Sequence, residues 1–118
     1  MNILVIGSGG VGTAFARIAQ RRDFFDRIIL SDLDATDVAS LAALIRALRA
    51  DAVLNAVDPR FVMPIFRAAL AADCTYLDMA MSLSHPHPDH PHEQTGVKLG
   101  DEQFAMAADG ERSGKERL

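Results

Sequence analysis

Four of the eight glycines fall between positions 7 and 12. Gly7-Ser8-Gly9-Gly10-Val11-Gly12 fits the spacing G-x-G-x-x-G, which suits the diphosphate of a dinucleotide. Gly7 permits a tight turn. Gly9 leaves the backbone bare, so a diphosphate can approach it. Gly12 lets a helix pack closely on a strand. The unpaired N–H groups at the start of that helix, and its positive end, attract the anion. The plainer alternative is a glycine-rich turn with no ligand, but three glycines at this spacing serve little purpose there. Asp32 follows Gly12 by about 20 residues, the spacing expected for a ribose-binding carboxylate. Such a carboxylate accepts hydrogen bonds from both adenosine ribose hydroxyls and repels a 2′-phosphate, so the sequence favours NAD over NADP. A plain turn role for Asp32 stays open, and Asp34 is a rival two residues on.

Other polar residues carry two readings each. Asn55 ends an apolar run, where side chains face the cofactor crevice of a parallel sheet or bond a loop. Asp58 reads first as a helix cap. Asp78 ends another run and faces either the nicotinamide, a substrate amine or a turn. Cys74 reads as a small buried residue rather than a nucleophile. His85-Pro86-His87-Pro88-Asp89-His90-Pro91-His92 invites a metal. It lacks the added cysteines or helical H-x3-H spacing usual at structural zinc, so a solvated, proline-stiffened loop is favoured and no metal is assigned.

The elements that position these residues alternate. Ile3 to Ile6 is a continuous apolar run ended by Gly7, as a strand buried on both faces reads. Val11, Ala14, Phe15, Ile18 and Ala19 then recur at helical spacing and are expected to form the buried face of a helix. Arg27 to Ser31 reads as a second buried strand. Thr36 or Asp37 caps a helix bearing Val38, Leu41, Ala42, Ile45 and Leu48. Ala52 to Leu54 is a third strand. Asp58-Pro59 opens a further helix with Val62, Ile65, Phe66, Ala69 and Leu70, and Pro64 restricts its regular part to begin near Phe61. Thr75 to Leu77 is a fourth strand. The order β-α-β-α-β-α-β predicts an α/β fold: a Rossmann-like, doubly wound parallel sheet with right-handed crossovers. That unit spans residues 1–81. Residues 82–100 read as a Pro/His-rich loop, 101–108 as a short helix capped by Asp101, and 109–118 as a disordered tail.

Composition narrows the partners. The chain has 118 residues, 49% of them apolar, with a net charge of -4. That is one domain, with no basic excess for nucleic acid. The single cysteine excludes an internal disulfide. The N-terminal apolar run is too short for a signal peptide or membrane span, and it has no basic residues before it. A cytoplasmic setting is expected.

Three segments together resemble the N-terminal nucleotide-binding domain of the saccharopine dehydrogenase family. They are Met1 to Gly12, then Ala52-Val53-Leu54-Asn55-Ala56-Val57, then Tyr76-Leu77-Asp78-Met79-Ala80. The family also holds lysine 6-dehydrogenase-like and carboxynorspermidine dehydrogenase-like reductases, and the resemblance covers residues 1 to 108. It implies hydride transfer between NAD or NADP and the carbon of an amine, through an imine. It also implies that Gly7, Ser8, Gly9, Gly10, Val11 and Gly12 hold the diphosphate and that Asp32 holds the ribose. Asn55, Ala56 and Val57 would line the nicotinamide side. Family members place a helix and a strand between the Asp32 position and an Asp-Ala-Thr-Asp-like segment. Here Ser31-Asp32 runs almost directly into Leu33-Asp34-Ala35-Thr36-Asp37, so one helix-strand unit is expected to be missing.

Family members continue into a large substrate domain, and these 118 residues are expected to stop before it. The first expectation is therefore the NAD(P)-binding domain of an oxidoreductase, without catalysis by itself. A small amine or amino acid would bind only with a second domain. The alternatives are a non-catalytic dinucleotide-binding module and a shortened, non-functional fragment. A flavin is less favoured than a nicotinamide. The edge and apolar surface exposed by a missing strand predict a homo-oligomer.

Overall fold

The computed structural model describes residues 1–32 and 37–112. Strands β1 (Asn2–Ile6), β2 (Arg27–Ser31), β3 (Ala52–Asn55) and β4 (Thr75–Asp78) form one sheet. Helices α1 (Gly10–Ala19), α2 (Val38–Ala47) and α3 (Val62–Ala71) are the crossovers, and α4 (Asp101–Arg112) follows the loop. The strand order is β2-β1-β3-β4, with every pair parallel. This is the Rossmann-like, doubly wound α/β arrangement that the alternating pattern predicts. The full order for such a sheet is 3-2-1-4-5-6. The four strands here take its places 2-1-4-5, so among the described residues the strand outside β2 is absent. Asp34 and Thr36 lie outside the described residues, as do residues 113–118.

The strand faces sort the core. Leu4, Ile6 and Val53 pack with Leu41, Ala42 and Ile45 of α2 and with Ile65, Phe66 and Ala69 of α3. On the opposite face Ile3, Val5, Ala52 and Leu54 meet Phe15 of α1 and Phe25. β1 and β3 are covered on both sides, which explains their unbroken apolar runs. Local chemistry sets the helix boundaries. Asp37 caps α2, accepting the N–H groups of Ala39 and Ser40 at 3.1 and 3.2 Å. Pro64 is the third residue of α3, in the first turn, where no intrahelical N–H bond is lost. A 3-10 turn at Pro59–Phe61 precedes it. Asp73 ends α3 in the left-handed conformation, φ 56°, which aspartate tolerates better than most side chains.

Three expectations are corrected. The apolar stripe of α1 is only partly turned to the sheet: Phe15 and Ala19 meet it, whereas Val11, Ala14 and Ile18 do not. Gly12 and Ala19 are buried, while Val11 is 52% and Ile18 59% exposed. The helix turns Gly12 to the strand end, because only glycine allows the close approach described below. β2 is half-exposed rather than buried, because no described strand lies beyond it. α4 runs four residues past the expected end at Ala108. Ala105, Met106, Ala107 and Ala108 are strong helix formers, and they carry the helix through Gly110. Asp101 is its first residue rather than its cap, and its carboxylate accepts the Lys98 N–H at 2.8 Å.

The Pro/His-rich loop is mostly exposed, and its own backbone closes it. His85 and Val97 exchange N–H···O=C bonds of 2.9 and 2.8 Å. His87 Nδ1 accepts the N–H groups of Asp89 and His90 at 3.2 and 3.0 Å. Among the described residues no cluster of three His, Cys, Asp or Glu is placed to hold a metal. Nor is any described helix long and apolar enough to cross a membrane.

Phe66 is fully buried and meets Tyr76 edge-on, with ring centres 5.1 Å apart. Phe66→Ala is expected to cost about 3–5 kcal/mol in a urea titration followed by circular dichroism. A loss below about 1 kcal/mol would contradict this core.

Candidate functional site

The segment between β1 and α1 divides its glycines by task. Gly7 turns with φ +110°, and a Cβ on it would lie 2.7 Å from both the Ala56 carbonyl oxygen and Val57 Cγ1. A Cβ on Gly12 would lie 1.8 Å from the Gly7 carbonyl oxygen. Both positions are therefore closed to any side chain by backbone contact. Gly9 and Gly10 are different, because a Cβ on either meets nothing within 4 Å. Their bareness is not needed for packing. It leaves an open approach to the first turn of α1, whose N–H groups have no intrahelical partners. Gly9 is the N-cap, and no acidic residue lies in that first turn. Nothing there repels an anion. The Thr13 hydroxyl donates to the Ser8 carbonyl at 2.8 Å and holds the turn.

The sheet brings the other expected residues to this loop. The Gly7 N–H donates to the Ser31 carbonyl at 2.8 Å, so Asp32, exposed at the end of β2, flanks the loop on one side. Asn55, Ala56 and Val57 flank it on the other, across the point where the chain's direction along the sheet reverses. In open α/β sheets this crevice outside the carboxyl ends is where ligands bind. Ser8, Gly9 and Gly10 also open onto a hollow of about 600 Å³, shared with Thr13, Ala14, Arg17 and Ile18 of α1. Arg17 was not singled out from sequence. Its signal is periodicity, since positions 10, 13, 14 and 17 share one helix face.

Asn55 is 1% exposed, and both ends of its amide are engaged. Its Oδ1 accepts the Val57 N–H at 3.1 Å, and its Nδ2 donates to the Tyr76 hydroxyl at 3.0 Å. The side chain therefore fixes the Ala56–Val57 backbone instead of projecting into the crevice. Asp78 Oδ2 accepts from Gln103 Nε2 of α4 at 2.9 Å, so it is tied to a helix that sequence reading left unconnected. Burial pushes the Tyr76 phenol well above its ordinary range. The Asn55 bond opposes this shift, and the nearby Asp78 carboxylate adds to it. Asp58 caps the 3-10 turn, and the Arg60 side chain bonded to it holds its carboxyl below the usual range. Cys74 is buried and bonds the Ala50 carbonyl through its thiol at 3.3 Å.

Comparison with known proteins agrees with this architecture. The family described as Saccharopine dehydrogenase NADP binding domain matches residues 26–115. The match takes in Asp32 and the β3 and β4 segments and begins after the glycine loop. No curated protein matches the chain. Among solved structures, saccharopine dehydrogenase (L-Glu forming) from Saccharomyces cerevisiae is 17% identical with a TM-score of 0.57, over 74% of this chain and 22% of its own. A UDP-glucose-4-epimerase from Stenotrophomonas maltophila with bound NAD is 15% identical with a TM-score of 0.58, over 97% of this chain and 48% of its own. A dTDP-4-dehydrorhamnose reductase from Clostridium acetobutylicum is 14% identical with a TM-score of 0.55, over 98% and 50%. The chain thus spans between about a fifth and a half of these structures. At such identities the likeness is one of fold.

The glycine contrast predicts opposite outcomes for one added methyl group. Gly12→Ala is expected to destabilise the chain by about 1–3 kcal/mol or more, through overpacking against backbone. Gly9→Ala is expected to cost at most about 1 kcal/mol, from its weaker cap. Parallel thermal melts compare the two, and equal losses would contradict the geometry.

Tyr76 is the only tyrosine, and tryptophan is absent, so phenolate absorbance reports this residue alone. Its folded-state pKa is raised, so its stability contribution is complete below about pH 10, where a free phenol ionises, and declines as pH rises further. Phenolate is expected to appear only together with alkaline unfolding. Ionisation centred near pH 10 with an unchanged circular dichroism spectrum would contradict the buried assignment.

Proposed function

Because the chain belongs to the saccharopine dehydrogenase NADP binding domain family, we propose that it binds a nicotinamide dinucleotide across the carboxyl ends of β1, β2 and β3. The observation that carries this is the contrast among the glycines. Gly7 and Gly12 are closed by packing, whereas Gly9 and Gly10 face open space at a helix start free of acidic residues. A diphosphate there meets the backbone N–H groups of the first turn, and Arg17 adds positive charge to the same hollow. Asp32 takes the adenosine ribose. Although the family's description names NADP, this carboxylate opposes a 2′-phosphate, and NAD is the proposed cofactor.

The chemistry proposed is hydride transfer at the carbon of an amine or imine. When bound, the nicotinamide supplies the hydride. This chain's own residues hold and orient the dinucleotide. Groups that bind an amine or amino acid and move its proton come from a second domain, so the isolated chain binds cofactor without turnover. A dinucleotide-binding module with no catalytic partner shares this geometry and is separated from the first reading by activity in the assembled protein. The outer edge of β2, with exposed Leu30 and the 60% exposed Phe24 near it, supports self-association.

Three measurements test these statements. NADH is expected to bind the purified chain saturably and more tightly than NADPH, followed by nicotinamide fluorescence. Asp32→Ala is expected to weaken NADH by about tenfold, and Gly9→Val to abolish its binding. Unchanged affinities in the two variants would remove the ribose and diphosphate assignments, respectively. Sedimentation is expected to find a dimer or larger species, and a monomer at micromolar concentration would exclude the edge as an interface.

A further inference from the structure

Ser82 lies just beyond β4 and is 3% exposed. Its N–H donates to Gln103 Oε1 at 2.8 Å, and its carbonyl accepts the Gly100 N–H at 3.1 Å. Its hydroxyl is the one buried side-chain polar group among the described residues with no partner. A buried hydroxyl normally finds a partner, and leaving it without one is unfavourable. Ser82 also lines a cavity of about 270 Å³. Pro59, Met63 and Leu83 give that cavity apolar walls, and Arg60, His85 and Glu102 lie at it too. Arg60 is already bonded to both oxygens of Asp58, at 2.9 and 3.3 Å, so its charge is compensated and the cavity does not select an anion. A flat head group with a neutral polar substituent suits these walls.

The position within the sheet says which head group that is. In the order β2-β1-β3-β4, Asp32 ends β2, the glycine loop follows β1, Ala56 follows β3, and Ser82 stands past β4. Gln103 ties Ser82 to Asp78 at the end of that strand. Three strand spacings separate the two outer positions, about 14 Å in all. That is the scale of an extended dinucleotide. With the ribose at Asp32 and the diphosphate over Gly9, the other end of the molecule runs over β3 toward β4.

We infer that the Ser82 hydroxyl holds the carboxamide of the nicotinamide, with the ring seated against Met63 and Leu83. The hydroxyl matches a carboxamide because each is both donor and acceptor. The inference rests on the dinucleotide reading above. It assigns this end of the cofactor to residues beyond the Asn55–Val57 segment.

Calorimetric titration with NADH and with ADP-ribose, which lacks the nicotinamide, tests it. The parent chain is expected to bind both, NADH more tightly. Ser82→Ala is expected to bind NADH about 5–10-fold more weakly and ADP-ribose unchanged. Its unliganded thermal midpoint should be no lower than the parent's, since an unpaired hydroxyl has been removed. Unchanged NADH affinity, or equal weakening of both ligands, overturns the Ser82 assignment while leaving the dinucleotide reading in place. A parent chain that binds neither ligand overturns both.

Discussion

The closeness of α1 to the end of β1 is the constraint from which the rest follows. With a Cβ at Gly12 only 1.8 Å from the Gly7 carbonyl oxygen, the start of the helix meets backbone directly. That contact requires the left-sided turn at Gly7, whose N–H is held by Ser31 of β2. It also brings the positive end of the helix to the carboxyl edge of the sheet, at the place where strand order reverses. The open helix start is thus a consequence of packing: once a helix sits this close, its first-turn N–H groups have nowhere else to point.

A second constraint acts on the other side of the crevice. Asn55 and Tyr76 are buried polar groups that satisfy each other, and Asn55 in turn fixes Val57. Asp78 and Gln103 extend this polar contact to α4 and Ser82. Hydrogen bonds in an apolar surrounding are stronger and costlier to break than at the surface. These bonds tie the backbone that abuts Gly7 to β4, and the start of the loop after β4 to α4. The His85–Val97 bridge closes the same loop at its base.

The strands, the glycine loop and most helix starts were legible in the sequence, because each is encoded by neighbouring residues. Asp37 and Asp58 cap within three positions of themselves, and Asp73 stands where its helix needs a left-handed residue. What was hidden depends on distant partners. The polarity of Asn55 was visible, but Tyr76 as its partner becomes apparent only when β3 and β4 pair in register. Gln103 gave no local signal at all. The helix α1 misled for a different reason. Its apolar periodicity is real, and Phe15 and Ala19 do face the sheet, yet the close approach at Gly12 rotates the contact so that Val11 and Ile18 lie exposed. The half-exposure of β2 goes with the absence, among the described residues, of a strand outside it, which the sequence suggested through the short passage from Ser31 to Asp37.

The place of β1 at the centre of the sheet also bears on how the chain is made. Its neighbours are β2 and β3, and Ile3 pairs with Ala52. At synthesis rates of about 5–20 residues per second, β1 waits roughly 2–10 s for β3 to be made. Until then an apolar strand has a bare hydrogen-bonding edge. Pairing with β2 through the short α1 crossover protects only one side. The nascent chain therefore passes through a stage in which its most buried strand is its most exposed one.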